Sequence, residues 1–264
     1  MLLFCLFLCS CTAPVMEEMV GPVPQSYDRR NAGIATKLEG EVAVLSIYVE
    51  DGSKLSRKTK KAYAAALLDA EEWLRLEANR YGVDVQFANY QYGYETSISY
   101  NPMGDWQDEL PYNVIVATFG SDIEARQWMD KHPNCAVVIF TGSRKNYNCS
   151  AVSAQREYTD CAPYMEGAKI YPYEMGEKAL EIAHEILHLF GAWDLYEGPV
   201  HYREGDYDLW YAHLQELRYA NNKRSKSIMF DTYGSISKHH VDDMNAYLVG
   251  WGGEWNEWYD CYAN

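Results

Sequence analysis

Basic residues are scarce in this sequence. Its 264 residues include 23 Lys and Arg against 38 Asp and Glu, which gives a formal net charge of −15 at pH 7. A surface that binds nucleic acid needs a local excess of positive charge to meet the phosphates. The composition therefore argues against nucleic acid as a partner, and it agrees with an exported protein that like charges keep soluble.

The apolar run at the start of the chain is short, and no Lys or Arg precedes Arg29. Residues Met1–Leu8 are too few to span a bilayer as a helix, and small residues follow at once, which is typical of an export signal. Leu8-Cys9-Ser10-Cys11 resembles a bacterial lipobox, whose last cysteine is lipidated. We expect a signal in residues 1–11, with either a lipid anchor at Cys11 in the cell envelope or a secreted product cut nearby.

Cysteine is rare after this signal: only Cys135, Cys149, Cys161 and Cys261 remain. An even number in an exported chain predicts two disulfides, although four cysteines allow three pairings. No two of them are close enough in sequence to suggest a Cys-rich zinc site. Free thiols and a second metal site are the alternatives.

Residues 12–40 contain several Pro and Gly and few large apolar side chains. We expect them to form a tether or short pro-segment without a core of its own. Residues 41–264 are long enough for one globular domain, with a single core or two lobes around a cleft.

The order of predicted elements favours an α+β fold with a mixed sheet. Apolar runs predict strands at 42–49, 83–94, 112–119 and 135–141, and helical periodicity predicts helices at 56–80 and 122–131. Residues 168–171 are the candidate edge strand. Later helices are expected at 207–218 and 237–248, the second capped by Ser237, with His239 and His240 on the surface.

The segment 176–194 carries the strongest chemical signal. Its apolar residues recur at helical spacing, so His184 and His188, four apart, lie on one face of a buried helix and can bind one zinc ion. Glu185 follows the first histidine, where a general base is needed rather than a ligand. Gly191 ends the helix, so the chain can turn back and offer Asp194 as a third ligand. An ordinary core helix with satisfied polar groups is the plain alternative.

The string His184-Glu185-x-x-His188-x-x-Gly191-x-x-Asp194 resembles the metzincin clan of zinc endopeptidases, and its aspartate ending is similar to the snapalysin variant. Ser227-Ile228-Met229-Phe230 resembles the methionine turn of that clan. Many relatives have tyrosine two residues after this methionine; here that position is Asp231, and Tyr233 is the nearest tyrosine, a candidate for oxyanion or substrate contact.

The resemblance implies a twisted sheet with an antiparallel edge strand, an N-terminal lobe at 41–191 and a C-terminal lobe at 192–264. It also implies one catalytic zinc ion held by His184, His188 and Asp194. His201 and His213 are alternative third ligands that the sequence offers, but only Asp194 lies three residues after the capping glycine. Glu185 would take a proton from a water molecule activated by zinc. We expect a monomer that cleaves protein or peptide substrates and meets the membrane only through its anchor. The alternative function is a surface adhesin or a glycan- or peptide-binding lipoprotein with a structural zinc ion.

Overall fold

The computed structural model describes residues 35, 37–50, 54–92, 98–99, 114–141, 150–152, 167–170, 178–196, 205, 207–212, 226–256 and 258–259. In chain order the elements are β1 Gly40–Glu50, α1 Arg57–Arg80, β2 Val85–Tyr92, β3 Ile98–Ser99, α2 at 114–119, α3 Asp122–Asp130, β4 Cys135–Thr141, β5 Ser150–Val152, β6 Gly167–Ile170, α4 Lys178–Leu189, α5 at 207–212, β7 Lys226–Ser227, β8 His239–His240 and α6 Asp243–Leu248. No helix within these ranges is long and apolar enough to cross a membrane.

A mixed sheet organises the first part of the chain, as the sequence predicts. Its strand order is β2-β1-β4-β6-β5, and β3 pairs with the end of β1 beyond β2. The pairs β1–β2, β1–β4 and β4–β6 are parallel, and β5 runs antiparallel to β6 at the edge. This mixture of helices and strands is compatible with the expected α+β class.

Helices cover both faces of the sheet. Residues Val42, Val44 and Tyr48 of β1 belong to one apolar core, with α1, α4 and the segments after residue 226. The alternate residues of β1 belong to a second core with α2 and α3. All seven residues of β4 are buried, because a parallel strand in the middle of such a sheet has no solvent-facing side.

The two ends of the described chain meet beside α1. Leu38 is fully buried; its backbone N–H donates to Val249 O at 3.0 Å, and its carbonyl accepts from the Trp251 indole N–H at 2.7 Å. The Tyr81 hydroxyl, just after α1, donates to Val241 O at 2.8 Å. The folded unit therefore begins before β1, within the last residues of the expected tether.

The third predicted strand, at 112–119, is wrong, because residues 114–119 form helix α2. The β-branched residues in this stretch favour a strand, but Val114 and Ile115 are both buried, which is a helical rather than an alternating pattern. The Thr118 hydroxyl donates to Val114 O at 2.7 Å, a bond that a helix allows one turn back. The expected helix that follows is confirmed at Asp122–Asp130.

The edge-strand assignment also needs correction. The stretch predicted as the edge, 168–171, lies largely in β6, which is an inner strand between β4 and β5. The antiparallel edge is β5, which pairs Ala151 with Ala168. Both segments are short, so sequence pattern alone does not decide which of them has a free side.

The last helix begins later than predicted. Residues Ile236–Lys238 form a 3-10 turn, and α6 starts at Asp243 with Asp242 as its N-cap, whose side chain accepts from the Asn245 N–H at 3.1 Å. Ser237 is therefore not the helix cap. His239 was expected at the surface but is 4% exposed, because it lies on β8 beside the core.

Candidate metal centre

Helix α4 carries three polar side chains into the core. Every residue from Ile182 to Leu189 is buried, because the helix packs between the sheet and the segments after residue 226. His184, Glu185 and His188 are exposed by only 5%, 5% and 9%. Burying such groups costs free energy unless each finds a partner.

Gly191 ends α4 as the sequence predicts. Its φ of 102° lies in the left-handed region that glycine adopts without strain. The N–H of Ala192 donates to Leu187 O at 3.1 Å, and the N–H of Gly191 donates to His188 O at 3.0 Å. These two bonds form a Schellman cap, which turns the chain back toward the histidines and delivers Asp194 to them.

His184, His188 and Asp194 converge as a buried group that could hold a metal ion. The two Nε2 atoms are 3.1 Å apart, and Asp194 Oδ1 lies 3.3 Å from Nε2 of His184 and 3.2 Å from Nε2 of His188. Asp194 itself is 8% exposed. The helix spacing and the glycine cap thus bring the three predicted ligands together.

Backbone carbonyl groups fix the tautomers of both imidazoles. His184 Nδ1 lies 3.0 Å from Ile228 O, and His188 Nδ1 lies 2.9 Å from Ala192 O. Because a carbonyl oxygen can only accept, each Nδ1 must carry the hydrogen, and in the neutral ring Nε2 then holds a lone pair. Metal-binding histidines are commonly oriented in this way.

A cation fits the resulting triangle of acceptor atoms. Two imidazole lone pairs and a carboxylate oxygen at these distances repel one another unless positive charge lies between them. Asp194 Oδ1 is also a buried oxygen with no hydrogen-bond partner among the described residues. Ligand atoms about 2.0–2.1 Å from a tetrahedral zinc ion would be about 3.3–3.4 Å apart, close to the observed distances.

Without a metal ion, the carboxylate and the protonated imidazoles stabilise each other's charged forms. Burial alone would raise the pKa of the Asp194 carboxyl, but the adjacent imidazoles outweigh it and hold that pKa well below its usual range. Burial alone would lower the pKa of His184, but Asp194 and Glu185 outweigh it and raise that pKa. Glu185, the next residue on α4, therefore lies near enough for its charge to act on His184, and its role as general base stays a prediction.

The segment around Met229 is joined to the metal group through the backbone. Met229 is fully buried, and its carbonyl accepts from the Leu195 N–H at 2.9 Å, one residue after Asp194. The preceding residue, Ile228, supplies the carbonyl that orients His184. Met229 thus lies in a segment that contacts both His184 and the residue after Asp194 through its backbone, and its role as a methionine turn stays a prediction.

A buried polar network connects this segment to α6. Asn245 Oδ1 accepts from the Trp193 N–H at 2.7 Å, and Asn245 Nδ2 donates to Asp242 Oδ2 at 3.0 Å. The Ser227 hydroxyl donates to the same Asp242 oxygen at 2.6 Å and accepts from the Met229 N–H at 3.2 Å. The loop that carries Asp194 and the segment around Met229 are therefore held by one pair of side chains at the start of α6.

The other predicted site residues are not brought into this group. Tyr233 is 69% exposed, and its N–H donates to Asp231 Oδ1 at 2.8 Å, so its expected contact with substrate stays a prediction. His201 and His213 lie outside the described residues, as do Cys11, Cys149, Cys161 and Cys261. Cys135 is buried on β4, and the disulfide prediction stays untested.

Several supporting groups were not expected from the sequence. These are the carbonyls of Ala192 and Ile228, the amide of Asn245 and the hydroxyl of Tyr196, which donates to Asp194 Oδ2 at 2.8 Å. The glycine cap at Gly191 could have predicted the contact of the Ala192 carbonyl, because a Schellman cap folds the carbonyl that follows it back toward the end of the helix. The contacts of Ile228 and Asn245 span distant parts of the chain and leave no local pattern.

Comparison of the sequence with protein-family models and with curated proteins finds no match. The likeness in residues 176–194 and around Met229 therefore remains a resemblance of motifs.

Proposed function

We propose that this protein is a zinc-dependent endopeptidase of the metzincin type that hydrolyses peptide bonds in extracellular proteins. The observation that carries the proposal is the convergence of His184 Nε2, His188 Nε2 and Asp194 Oδ1 within 3.1–3.3 Å, with both Nδ1 atoms already committed to carbonyls. The resemblance of the surrounding motif to metzincins supplies the reaction class.

The donor set suits zinc, and because iron(II) sites can use the same set, it is the His-Glu-x-x-His spacing on a helix that favours zinc. Two imidazoles and one carboxylate are typical of catalytic zinc sites, which use three protein ligands and keep a fourth position open. A zinc ion held there would polarise a scissile carbonyl and make a water molecule acidic enough to react near neutral pH. Because Asp194 replaces a neutral histidine, the site is one charge less positive than a three-histidine site, so that acidifying effect is weaker.

Glu185 has the role of general base in this proposal. It is buried beside His184 and close enough for its charge to act on that ring, but it is not one of the three converging ligands. A carboxylate in that place can take a proton from the attacking water and return it to the leaving amine. Met229 has a packing role in the segment that orients His184.

The deciding experiment compares the wild type with Glu185→Ala at equal zinc content, using an unbiased pool of peptides. We expect the variant to keep its zinc and fold and to lose roughly 10²–10⁴ in rate, mainly in kcat, because only the proton transfer is removed. Glu181→Ala is the matched control, since Glu181 lies one turn earlier on α4, outside the metal group. Equal cleavage by wild type and Glu185→Ala would remove Glu185 from the mechanism.

Cleavage by neither protein would favour the alternative function, a surface adhesin or glycan- or peptide-binding lipoprotein with a structural zinc ion. A structural site has no need for Glu185, so binding to a partner would then be unchanged in Glu185→Ala. We also propose that residues 1–11 form an export signal and that Cys11 carries a lipid anchor. Both inferences rest on the sequence alone.

A further inference from the structure

The two carboxylate oxygens of Asp194 have different partners. Oδ1 faces the two histidine Nε2 atoms at 3.2 and 3.3 Å and has no hydrogen-bond partner among the described residues. Oδ2 accepts the hydroxyl hydrogen of Tyr196 at 2.8 Å. One oxygen is therefore directed at the position between the histidines, and the other is occupied by a phenol.

The backbone between these two residues is held in place. Leu195 is 1% exposed, and its N–H donates to Met229 O at 2.9 Å. Asp194 and Tyr196 flank this fixed residue, which limits how far either can move relative to the other. The hydrogen bond between Asp194 and Tyr196 therefore spans Leu195, a residue that is held by both its backbone and its buried side chain.

Tyr196 differs from the other partners of the metal group in being largely solvent-exposed, at 57%. A single, partly buried hydrogen bond of this kind makes only a modest net contribution to the free energy of unfolding. Its effect on a carboxylate ligand is larger, because groups that bond to a ligand fix its orientation and change metal affinity by about 10- to 100-fold.

We propose that Tyr196 is a positioning residue that keeps Asp194 a one-oxygen ligand. By occupying Oδ2, the hydroxyl opposes rotation of the carboxylate into a two-oxygen mode, which would fill the position that a catalytic site leaves open. This inference rests on the metal centre of the proposed function, but it does not depend on which reaction the centre performs.

The test is Tyr196→Phe in the full-length protein, with Tyr211→Phe as the matched control, because Tyr211 is an exposed tyrosine on α5. Zinc affinity is measured by competition with a coloured chelator, and the visible spectrum is recorded after loading with Co²⁺. For Tyr196→Phe we expect zinc affinity about 10-fold lower or more. We also expect weaker Co²⁺ absorption, since five-coordinate cobalt absorbs less than tetrahedral cobalt. The melting temperature of the metal-free protein should stay unchanged.

Wild-type affinity and an unchanged cobalt spectrum in Tyr196→Phe would overturn the role of Tyr196 while leaving the metal centre in place. A wild type that binds neither Zn²⁺ nor Co²⁺ would overturn both. A wild type that binds zinc without cleaving any peptide would contradict only the peptidase activity, because these readouts do not involve turnover.

Discussion

At the scale of single residues, each metal-facing atom is oriented by a second bond elsewhere in the same side chain. The far nitrogen of His184 donates to Ile228 O, that of His188 donates to Ala192 O, and the far oxygen of Asp194 accepts from Tyr196. Such bonds restrict rotation of the three side chains, so a metal ion that bound there would cost less conformational entropy. Ala192 and Tyr196 lie within four residues of the side chains they orient, whereas Ile228 comes from a distant segment that the fold brings to His184.

Replacing either histidine should remove the metal. We expect about one zinc ion per wild-type chain and almost none in His184→Ala or His188→Ala, because two remaining ligands rarely retain zinc. Metal analysis after dialysis measures this, and circular dichroism checks that the variants fold. His132→Gln is the control, since His132 stacks on Trp128, which packs against the second core, whereas α4 belongs to the first. Undiminished zinc in both alanine variants would refute the ligand assignment.

The convergence of His184, His188 and Asp194 could be predicted from the sequence because their geometry is local. Four residues on a helix place His184 and His188 on one face, and a glycine cap returns the chain for Asp194. Tyr196 is also close in sequence to Asp194. A tyrosine two residues after an aspartate is a common pattern, however, and it does not predict a contact between the two side chains. The acceptor of His184 could not be predicted, because Ile228 approaches only after the C-terminal segments pack on α4.

At the scale of elements, a buried carboxyl group lies between α1 and β2. Glu71 is 5% exposed and accepts one hydrogen bond, from Asn89 Nδ2 at 2.8 Å. Burial raises the pKa of this carboxyl from 4.5 to about 7, and the bond from Asn89 offsets only part of the effect. The helix is therefore attached to the sheet through a group that is protonated in the folded state at mildly acidic pH.

This pKa predicts a pH-dependent stability that Glu71→Gln should abolish. Because the folded-state pKa exceeds the unfolded one, the group's contribution is fully present below about pH 4.5 and is lost as the pH rises through about 7. A glutamine keeps an acceptor for Asn89 without a charge to bury. As the pH rises from 5 to 8, ionisation of Glu71 should lower the free energy of unfolding of the wild type by roughly 2–3 kcal/mol. Glu71→Gln should lack this decrease.

Urea unfolding at the two pH values measures this difference. Glu72→Gln is the control, because Glu72 is exposed and its hydrogen bonds with Arg75 lower its pKa, so it stays ionised across the same range. A pH dependence in Glu71→Gln equal to that of the wild type would show that the Glu71 carboxyl titrates alike in both states.

The elements that the sequence predicted well are those with strong internal signals. Strand β4 is a continuous apolar run and matches its predicted bounds, Cys135–Thr141, and α1 begins after the Ser56 cap that precedes its apolar stripe. The sequence predicts a strand where helix α2 lies, because the β-branched residues there favour a strand. Packing against α3 and the sheet stabilises the helix instead. The positions of β5 and β6 in the sheet depend on which short segments pair with each other. The alternation of apolar and polar residues does not determine that pairing.

At the scale of the whole molecule, the net charge of −15 would repel the protein from an anionic membrane surface. Stable attachment would therefore depend on lipid chains, and two or more are needed for lasting anchorage. In a bacterial host, Cys11→Ala should move the protein from the membrane fraction to the soluble fraction, as measured by fractionation and immunoblotting. Cys9→Ala serves as the control, and membrane association unchanged in Cys11→Ala would contradict the lipid anchor.

The buried network at the start of α6 has a consequence for the order in which the protein is made. A ribosome-bound chain that ends before Asp242 already contains both histidines, Glu185 and Asp194, but it lacks the Asn245 amide that holds Trp193 and the Asp242 carboxylate that holds Ser227. Leu38, near the beginning of the fold, likewise lacks its hydrogen-bond partners Val249 and Trp251 until those residues have been synthesised. Shorter nascent chains therefore carry His184, His188 and Asp194 without the α6 contacts that hold the surrounding segments, and these segments are fixed only after α6 has been synthesised.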